Sequence, residues 1–462
     1  MTAAPQPARE SALQELIDEL PAGTVADHPA TLQNYRQDWA HDPDAGTPLA
    51  VVRANSASDV QATVRWAARH RIPIVPRGAG TGLSGGFTAV DGGIVLSMEK
   101  MTDIVIDTAT RTAVVEPGAI NAEVKRAAAA HGLWYPPDPS SFEMCSIGGN
   151  LATNAGGLCC VKYGVTTDYV LGMDVVLADG TLVSLGGQRI KDTAGLSLVK
   201  LFVGSEGLLG IITKAILRLL PAQPPAATFV ASFPDVESAA NAVVAIGATQ
   251  RPSMMELMDN YSINACEDLF QAGLDREAGA LLIGQSDAPG AARRLEIEEM
   301  QRACDLAGAK ESFCTDDPAE GEMFLHARRQ AFQALEKRGT LLFEDVGVPI
   351  PQLPALIVGI EGISAAHGVE IAVVAHAGDG NTHPLVVHDG GDPESVRRAR
   401  LAFDEVMALA LSLGGTITGE HGVGRLKKGA LPDQLGPDVL ALTQRIKDAL
   451  DPDGILNPGA VL

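Results

Sequence analysis

The run Pro76-Arg-Gly-Ala-Gly-Thr-Gly-Leu-Ser-Gly-Gly86 limits the fold of this chain more than any other segment. It contains Gly80-x-Gly82-x-x-Gly85, the spacing of a dinucleotide-binding fingerprint, which works only where it opens a helix that receives the pyrophosphate. Here Val90-Asp-Gly-Gly93 and a strand pattern from Ile94 to Met98 follow at once, so a helix has no room and a Rossmann fold is excluded. Upstream, Val51 to Asn55 reads as a strand and Ser58-x-x-Gln61 as a capping box. Asp59 to His70 then forms a helix with Val60, Val64, Ala67 and Ala68 on one face. Pro73 ends that helix and Ile72 to Pro76 returns as a second strand, giving a compact β-α-β opening. The glycine loop is either a backbone cradle for phosphate, since Gly tolerates the φ angles and the close approach, or a plain flexible connection.

Further glycine-rich blocks follow. Pro136-Pro-Asp-Pro-Ser-Ser141 leads into Ser146-Ile-Gly-Gly-Asn-Leu-Ala-Thr-Asn-Ala-Gly-Gly157, where rigid prolines alternate with short hydroxyl and amide side chains suited to holding a large polar ligand. Leu171 to Ala178, Asp179-Gly180 and Thr181 to Leu185 read as a hairpin, and Gly204-Ser-Glu206-Gly-Leu-Leu-Gly210 turns into a strand from Ile211 to Leu219. Pro221-Ala-Gln-Pro-Pro225 is a stiff linker and the expected domain boundary. Beyond it, Thr228 to Phe233, a helix over Ser238 to Ile246 and Met254 to Met258 make one β-α-β set; Leu281 to Gln285 and a helix over Ala291 to Leu306 begin another. A length of 462 residues exceeds one core, so two domains are expected, the second α+β with helices over a mostly antiparallel sheet.

The densest chemistry lies in His376-Ala-Gly-Asp-Gly-Asn-Thr-His383 and in Gly419-Glu420-His421-Gly422. Ile371 to His376 and Thr382 to His388 look like strands joined by a tight type I′ turn at Asp379-Gly380, which pairs His376 directly with His383. Directly paired side chains have Cβ atoms about 5 Å apart, so both imidazoles reach one ion. Glu420, ending a short strand from Thr416 to Thr418, supplies the carboxylate of a two-histidine, one-carboxylate set with open positions, for which zinc or manganese is favoured and iron is the remaining candidate. His421 follows too closely to share that ion and is left for proton transfer. The competing reading is a pair of surface histidines on an ordinary hairpin.

Composition removes several functions. A formal charge of −22 and an aromatic content of 4% oppose binding of nucleic acid or of an anionic membrane surface. No stretch has the eighteen or more apolar residues of a membrane span, and Met1 to Glu10 lacks the apolar core of a signal peptide, so a cytoplasmic location is expected, with peripheral membrane association left open. The six cysteines show no C-x-x-C spacing, which excludes cluster and structural zinc patterns; Cys159-Cys160 is either a redox pair or two small buried side chains.

Taken in order, these blocks resemble the FAD-linked oxidases of the vanillyl-alcohol oxidase and p-cresol methylhydroxylase superfamily. Within it they look most like the D-2-hydroxyacid dehydrogenases: cytochrome-type D-lactate dehydrogenase, the D subunit of glycolate oxidase and D-2-hydroxyglutarate dehydrogenase. The likeness covers roughly 46–222 and 320–462. It implies a two-part FAD-binding domain of the p-cresol methylhydroxylase type with an α+β cap: an N-terminal helical segment at 1–45, FAD binding at 46–222, a cap carrying part of the metal site at 223–413, and a closing segment at 414–462 that returns to the flavin. Arg77, Gly78, Ala79, Gly80, Thr81, Gly82, Gly85 and Gly86 resemble the pyrophosphate cradle. Pro137, Ser141, Gly148, Gly149, Asn150, Thr153 and Asn154 resemble the block around the flavin ring and ribityl chain. Glu206, Gly210 and Ile212 match the adenosine side, and Asn457 matches a C-terminal residue at the flavin. Relatives with covalent flavin carry a histidine in the glycine loop; this chain has none, which implies noncovalent FAD.

The resemblance also implies an arginine before a short cap helix, where Arg328 is the expected carboxylate clamp and Arg329 the competing one. Hydroxyglutarate relatives use polar residues downstream where this chain has Phe332 and Phe343, which favours a shorter acid such as D-lactate or glycolate. The expected reaction is oxidation of a 2-hydroxy acid to the 2-oxo acid: a divalent metal acidifies the hydroxyl, His421 takes the proton and flavin N5 takes the hydride. No haem or cluster motif is present, so a separate quinone, cytochrome or electron-transfer flavoprotein is the expected partner, with the chain acting as a homodimer or within a hetero-oligomer. The alternatives are D-2-hydroxyglutarate oxidation, a metal-independent flavin oxidase of a sugar or alcohol, and a non-catalytic flavin-binding subunit.

Overall fold

A computed structural model describes residues 6–271 and 273–462, so the first five residues of the expected N-terminal segment lie outside the described residues. That segment holds a helix at Gln6–Glu19, a two-residue strand at Val25–Ala26 and a helix at Pro29–Asn34. The β-α-β opening is present. Strands Ala50–Arg53 and Ile74–Arg77 flank the helix Ala57–His70, and Ile94–Ser97 inserts between the two strands in parallel to both. The helix begins earlier than its expected capping box: Ser56 is the N-cap, its side chain accepting the Asp59 N–H, because the extended backbone of Ser56 lets its hydroxyl fold back over the first turn.

A five-stranded antiparallel sheet follows, with the strand at Ile211–Arg218 in its centre and the predicted hairpin of Val170–Val176 and Leu182–Gly186 at one edge. The linker region starts as a short strand, Leu220–Pro221, against Leu133–Trp134.

Downstream of the linker, an antiparallel sheet of eight strands runs in the order Glu311–Thr315, Ala227–Phe233, Ala280–Ser286, Met254–Asp259, Glu370–His376, Asn381–His388, Thr340–Phe343, with Val346–Gly347 paired separately to the Asn381 end. The first expected β-α-β set is therefore split, since Ala280–Ser286 lies between its strands. Strand alternation sorts the side chains onto two faces. Met255, Leu257, Val373, Ala375 and Val386 pack with the helices Val236–Gly247, Leu353–His367 and Pro393–Ser412. Met254, Met258, Ala372, Val374 and Leu385 pack on the other face with the helix Asn260–Phe270 and with Leu325, Ala331 and Leu335.

The chain finally returns to its first sheet. Ile74 donates to the Ile455 carbonyl at 2.7 Å and accepts from Asn457 N at 2.8 Å, and Ile455 and Leu456 join the core formed by Ile74 and Leu96. Lys447 fastens this return, its Nζ donating to the carbonyls of Leu208 and Leu456 and to Asp451.

Candidate active site

His376, Glu256 and His383 sit at the end of the second face of the large sheet, where the apolar residues give way to charge. The two histidines share that face, but not as a directly opposed pair. His383 pairs with Val374, and His376 with Asn381, two residues out of the expected register. The loop is longer than a type I′ turn because the Gly378 N–H is held by Met255 O of the neighbouring strand, and because Gly380 alone of the loop residues takes a positive φ, +84°. The shift is an even number of residues, so the face is kept. The rings end edge to face with centroids 5.0 Å apart.

Glu420 closes the set from a loop. The expected strand at Thr416 is a single bridge to Gly347, because the next residues turn to surround a buried carboxylate instead of pairing. Asp345 Oδ2 accepts from the Thr418 hydroxyl at 2.7 Å and from the N–H groups of Gly419, Glu420 and His421 at 2.9, 3.0 and 2.9 Å. Glu420 Oε1 then lies 3.3 Å from His376 Nε2 and 3.4 Å from His383 Nε2. Ligands about 2.1 Å from a tetrahedral ion stand roughly 3.4 Å from each other, so these separations match the spacing of metal ligands. His376 Nε2 has no hydrogen-bond partner although His376 is buried. Two nitrogens at these distances from one carboxylate oxygen, all three atoms within 4.8 Å of one another and one nitrogen without a hydrogen-bond partner, fit a divalent ion.

The surroundings set the charges. Burial alone opposes a charge on His376, yet Glu256 and Glu420 carry its pKa well above the ordinary histidine value. Glu420 is held well below the usual carboxylate range despite its burial, by His376 and His383. His421 is pushed down to about 4, chiefly by burial, and so stays neutral. Its ring stacks on that of His383, and its Nε2 is 4.0 Å from Glu420 Oε1. Asp345 Oδ1, His383 Nδ1 and His421 Nδ1 are buried without hydrogen bonds, with Oδ1 and His383 Nδ1 3.7 Å apart. Asp345 thus faces both imidazoles while its other oxygen shapes the loop.

Of the two candidate arginines, Arg328 is buried and Arg329 is exposed, bonded to Glu322. Arg328 lies in the last turn of the helix Pro318–Arg329 and places Nη2 2.8 Å from Glu256 Oε2. Phe332 stands beside His383, ring centroids 6.3 Å apart, and against Phe343 at 5.9 Å.

The glycine blocks converge on one cavity. Arg77 and Gly78, Gly148 and Gly149, and Gly210 and Ile212 line it together with Pro76, Pro117 and Ser205. Ser146 joins two of these segments, its Oγ accepting from Ala79 N at 3.2 Å and Gly149 N at 3.3 Å. An added Cβ at Gly148 would stand 2.7 Å from Pro117, so the wall is bare backbone by necessity. A cavity walled by exposed peptide edges and apolar side chains fits FAD. Gly80 and Gly85, at φ +80° and +74°, bend the loop, and Gly82 packs against Phe87.

Other residues of the expected FAD site hold the walls rather than line the cavity. Asn150 Oδ1 accepts from Asn121, Thr153 Oγ1 donates to Gly149 O, and Asn154, at φ 54°, accepts from Thr167 N. The carbonyls of Pro137 and Ser141 accept from Asn121 Nδ2 and from Met144 N. Glu206 directs both carboxylate oxygens to the N–H groups of Val423 and Gly424, at 2.8 and 2.9 Å, and Asn457 Nδ2 bonds the carbonyls of Gly86 and Glu206. Ser84 Oγ donates to Gly422 O. The loop bearing Glu420 and His421 is thereby bolted to the glycine loop at Gly86.

Sequence reasoning missed Glu256 and Asp345, and gave Ser146 only as the start of the second glycine-rich block. The first two left a trace, since Met254-Met-Glu-Leu-Met258 and Leu341-Leu-Phe-Glu-Asp345 each bury acids within an apolar run, which demands partners.

Residues 48–186 match the family model of the FAD binding domain, and 223–461 match that of the FAD linked oxidases, C-terminal domain. The chain is 39% identical over 415 residues to glycolate oxidase subunit GlcD of Bacillus subtilis, covering 89% of this chain and 88% of that one. It is 35% identical over 424 residues to D-lactate dehydrogenase of Archaeoglobus fulgidus, covering 91% and 93%. In fold it is similar to p-cresol methylhydroxylase, with a TM-score of 0.83 at 18% identity over 99% of this chain and 98% of that one. 4-Ethylphenol oxidase from Gulosibacter chungangensis gives a TM-score of 0.79 at 20% identity, covering 100% and 98%. Among the described residues no helix is long and apolar enough to cross a membrane.

Proposed function

The chain belongs to the FAD-linked oxidases, and from that premise we propose that it oxidises a small 2-hydroxy acid, D-lactate or glycolate, to the 2-oxo acid. The observation that carries this reading is the cluster of His376, His383 and Glu420 at metal-ligand spacing, with His421 stacked beside it and Arg328 behind it. Bound FAD supplies the hydride acceptor, and a divalent ion, zinc or manganese, lowers the pKa of a coordinated hydroxyl.

The remaining work falls to side chains. His376, His383 and Glu420 hold the ion. Arg328 takes the substrate carboxylate, to which a guanidinium presents a planar fork of N–H donors. His421 accepts the hydroxyl proton at Nε2, the nitrogen turned toward Glu420. Phe332 and Phe343 form an apolar wall next to His383, which suits a hydrogen or methyl on the substrate and leaves a second carboxylate unpaired. In this reading 46–222 bind FAD, 223–413 form the cap and 414–462 close the site. A separate quinone, cytochrome or electron-transfer flavoprotein takes the electrons.

The test is an anaerobic screen of D- and L-2-hydroxy acids that follows flavin absorbance. Bleaching by D-lactate or glycolate supports the proposal; a flavin that no 2-hydroxy acid reduces overturns it.

A further inference from the structure

Resting on the reading above, we propose that Glu256 is the positioning residue that sets both halves of substrate recognition, presenting His376 to the ion and anchoring Arg328. Glu256 lies in the middle of strand Met254–Asp259, and its neighbours on the same face, Met254 and Met258, belong to the apolar core. A carboxylate buried there costs several kcal/mol unless it is paired. It meets two partners, one from the neighbouring strand and one from a helix. His376 Nδ1 is 2.8 Å from Oε1 and 3.0 Å from Oε2, and Arg328 Nη2 is 2.8 Å from Oε2.

Both contacts have a direction. An acceptor on Nδ1 keeps a proton on that nitrogen, so the lone pair of Nε2 faces Glu420 and the ion, and the ring cannot turn. Arg328 is fixed by charge at one corner only, through Nη2 against Glu256, and its Nε is buried without a hydrogen-bond partner, so a donor remains for a second carboxylate. The guanidinium and the imidazole are held by one side chain, so the distance between the carboxylate-binding and hydroxyl-binding ends of a substrate is set before it arrives.

Two substitutions separate the contacts. In Glu256→Gln the amide oxygen still accepts from His376 Nδ1, while the amide nitrogen turns toward Arg328 and removes its counter-charge. In Glu256→Ala both contacts go. With FAD-replete, folded protein, manganese or zinc affinity is measured by chelator competition, and KM and kcat are measured with the acid that bleaches the flavin.

The expected result is a 10- to 100-fold weaker metal affinity in Glu256→Ala, a loss within about 5-fold in Glu256→Gln, and a KM raised at least 10-fold in both. Metal affinity equal to wild type in Glu256→Ala overturns the claim for His376, and an unchanged KM in Glu256→Gln overturns the claim for Arg328. Should the alanine variant fail to fold, equal metal affinity and KM in the glutamine variant overturn the proposal. A wild-type chain that binds no ion overturns the parent reading instead, which keeps the two failures apart.

Discussion

The imidazoles of His383 and His421 lie parallel, with 8° between their planes and 4.9 Å between their centroids. The side chain assigned to the ion therefore touches the one assigned to the proton, and their losses should differ in kind. His383→Ala is expected to lose bound metal and turnover together while keeping the flavin spectrum. His421→Ala is expected to keep metal and flavin but lose about 10²- to 10⁴-fold in turnover, the usual worth of a positioned base. Elemental analysis alongside steady-state rates decides; an active, metal-free His383→Ala sinks the assignment.

Asp345 gathers three consecutive N–H groups and a hydroxyl on one oxygen. In Asp345→Asn the amide either turns its N–H toward those donors or leaves them with a weaker acceptor. Breaking a buried charged network of this kind costs about 3–5 kcal/mol. Denaturant unfolding should show that loss, and turnover should fall at least as far as in His421→Ala. Near wild-type stability would mean that the loop holds its shape without the charge.

Asp38 gives a pH signature. Burial pushes its carboxyl up to about 6, with Arg77 partly opposing, and Oδ2 has no hydrogen-bond partner. The folded pKa exceeds the ordinary 3.8, so the protonated group favours the fold: its contribution is complete below about pH 4 and disappears as pH rises through 6. Asp38→Asn mimics the neutral form, and Oδ1 can still accept from Ala40 N. The stability of the variant relative to wild type should rise by up to about 3 kcal/mol from pH 4 to pH 8. Chemical denaturation of the FAD-bound proteins at several pH values measures it; a gap independent of pH refutes the expectation.

The cysteines should be inert while the chain is folded. All are free; burial raises Cys266 and Cys314 to about 11 and Cys304 to about 12, and raises Cys145, Cys159 and Cys160 as well. The thiolate is the reactive form, so a disulfide reagent at pH 8 should find less than one thiol within minutes in native protein and all six after unfolding. A single fast thiol, Cys160 above all, would revive the redox reading of the Cys159-Cys160 pair.

Local pattern carried far in this chain, and its limit is visible residue by residue. Strands such as Thr228 to Phe233 and the hairpin at Asp179-Gly180 follow from short-range alternation and turn chemistry, and they lie within a residue or two of where they were expected. The histidine hairpin was legible for the same reason. Its register was not, because the loop is set by Met255, more than a hundred positions away in sequence. Glu256 and Asp345 were hidden for a related reason. Their partners come from distant strands and loops, and a lone acid in an apolar run announces that it needs a partner without naming it.

The return of Ile455 to Asn457 to the strand at Ile74 means that the polypeptide passes between its two halves more than once. A cut in Pro221–Pro225 would leave two fragments still clasped, because the C-terminal fragment contributes Leu456 to the core of the other and Lys447 to its carbonyls. With two tethers rather than one, the halves cannot swing apart on a single hinge. A substrate must then enter and leave by local movement of side chains and loops, and the pieces of a severed chain should recover their yellow colour only when refolded together.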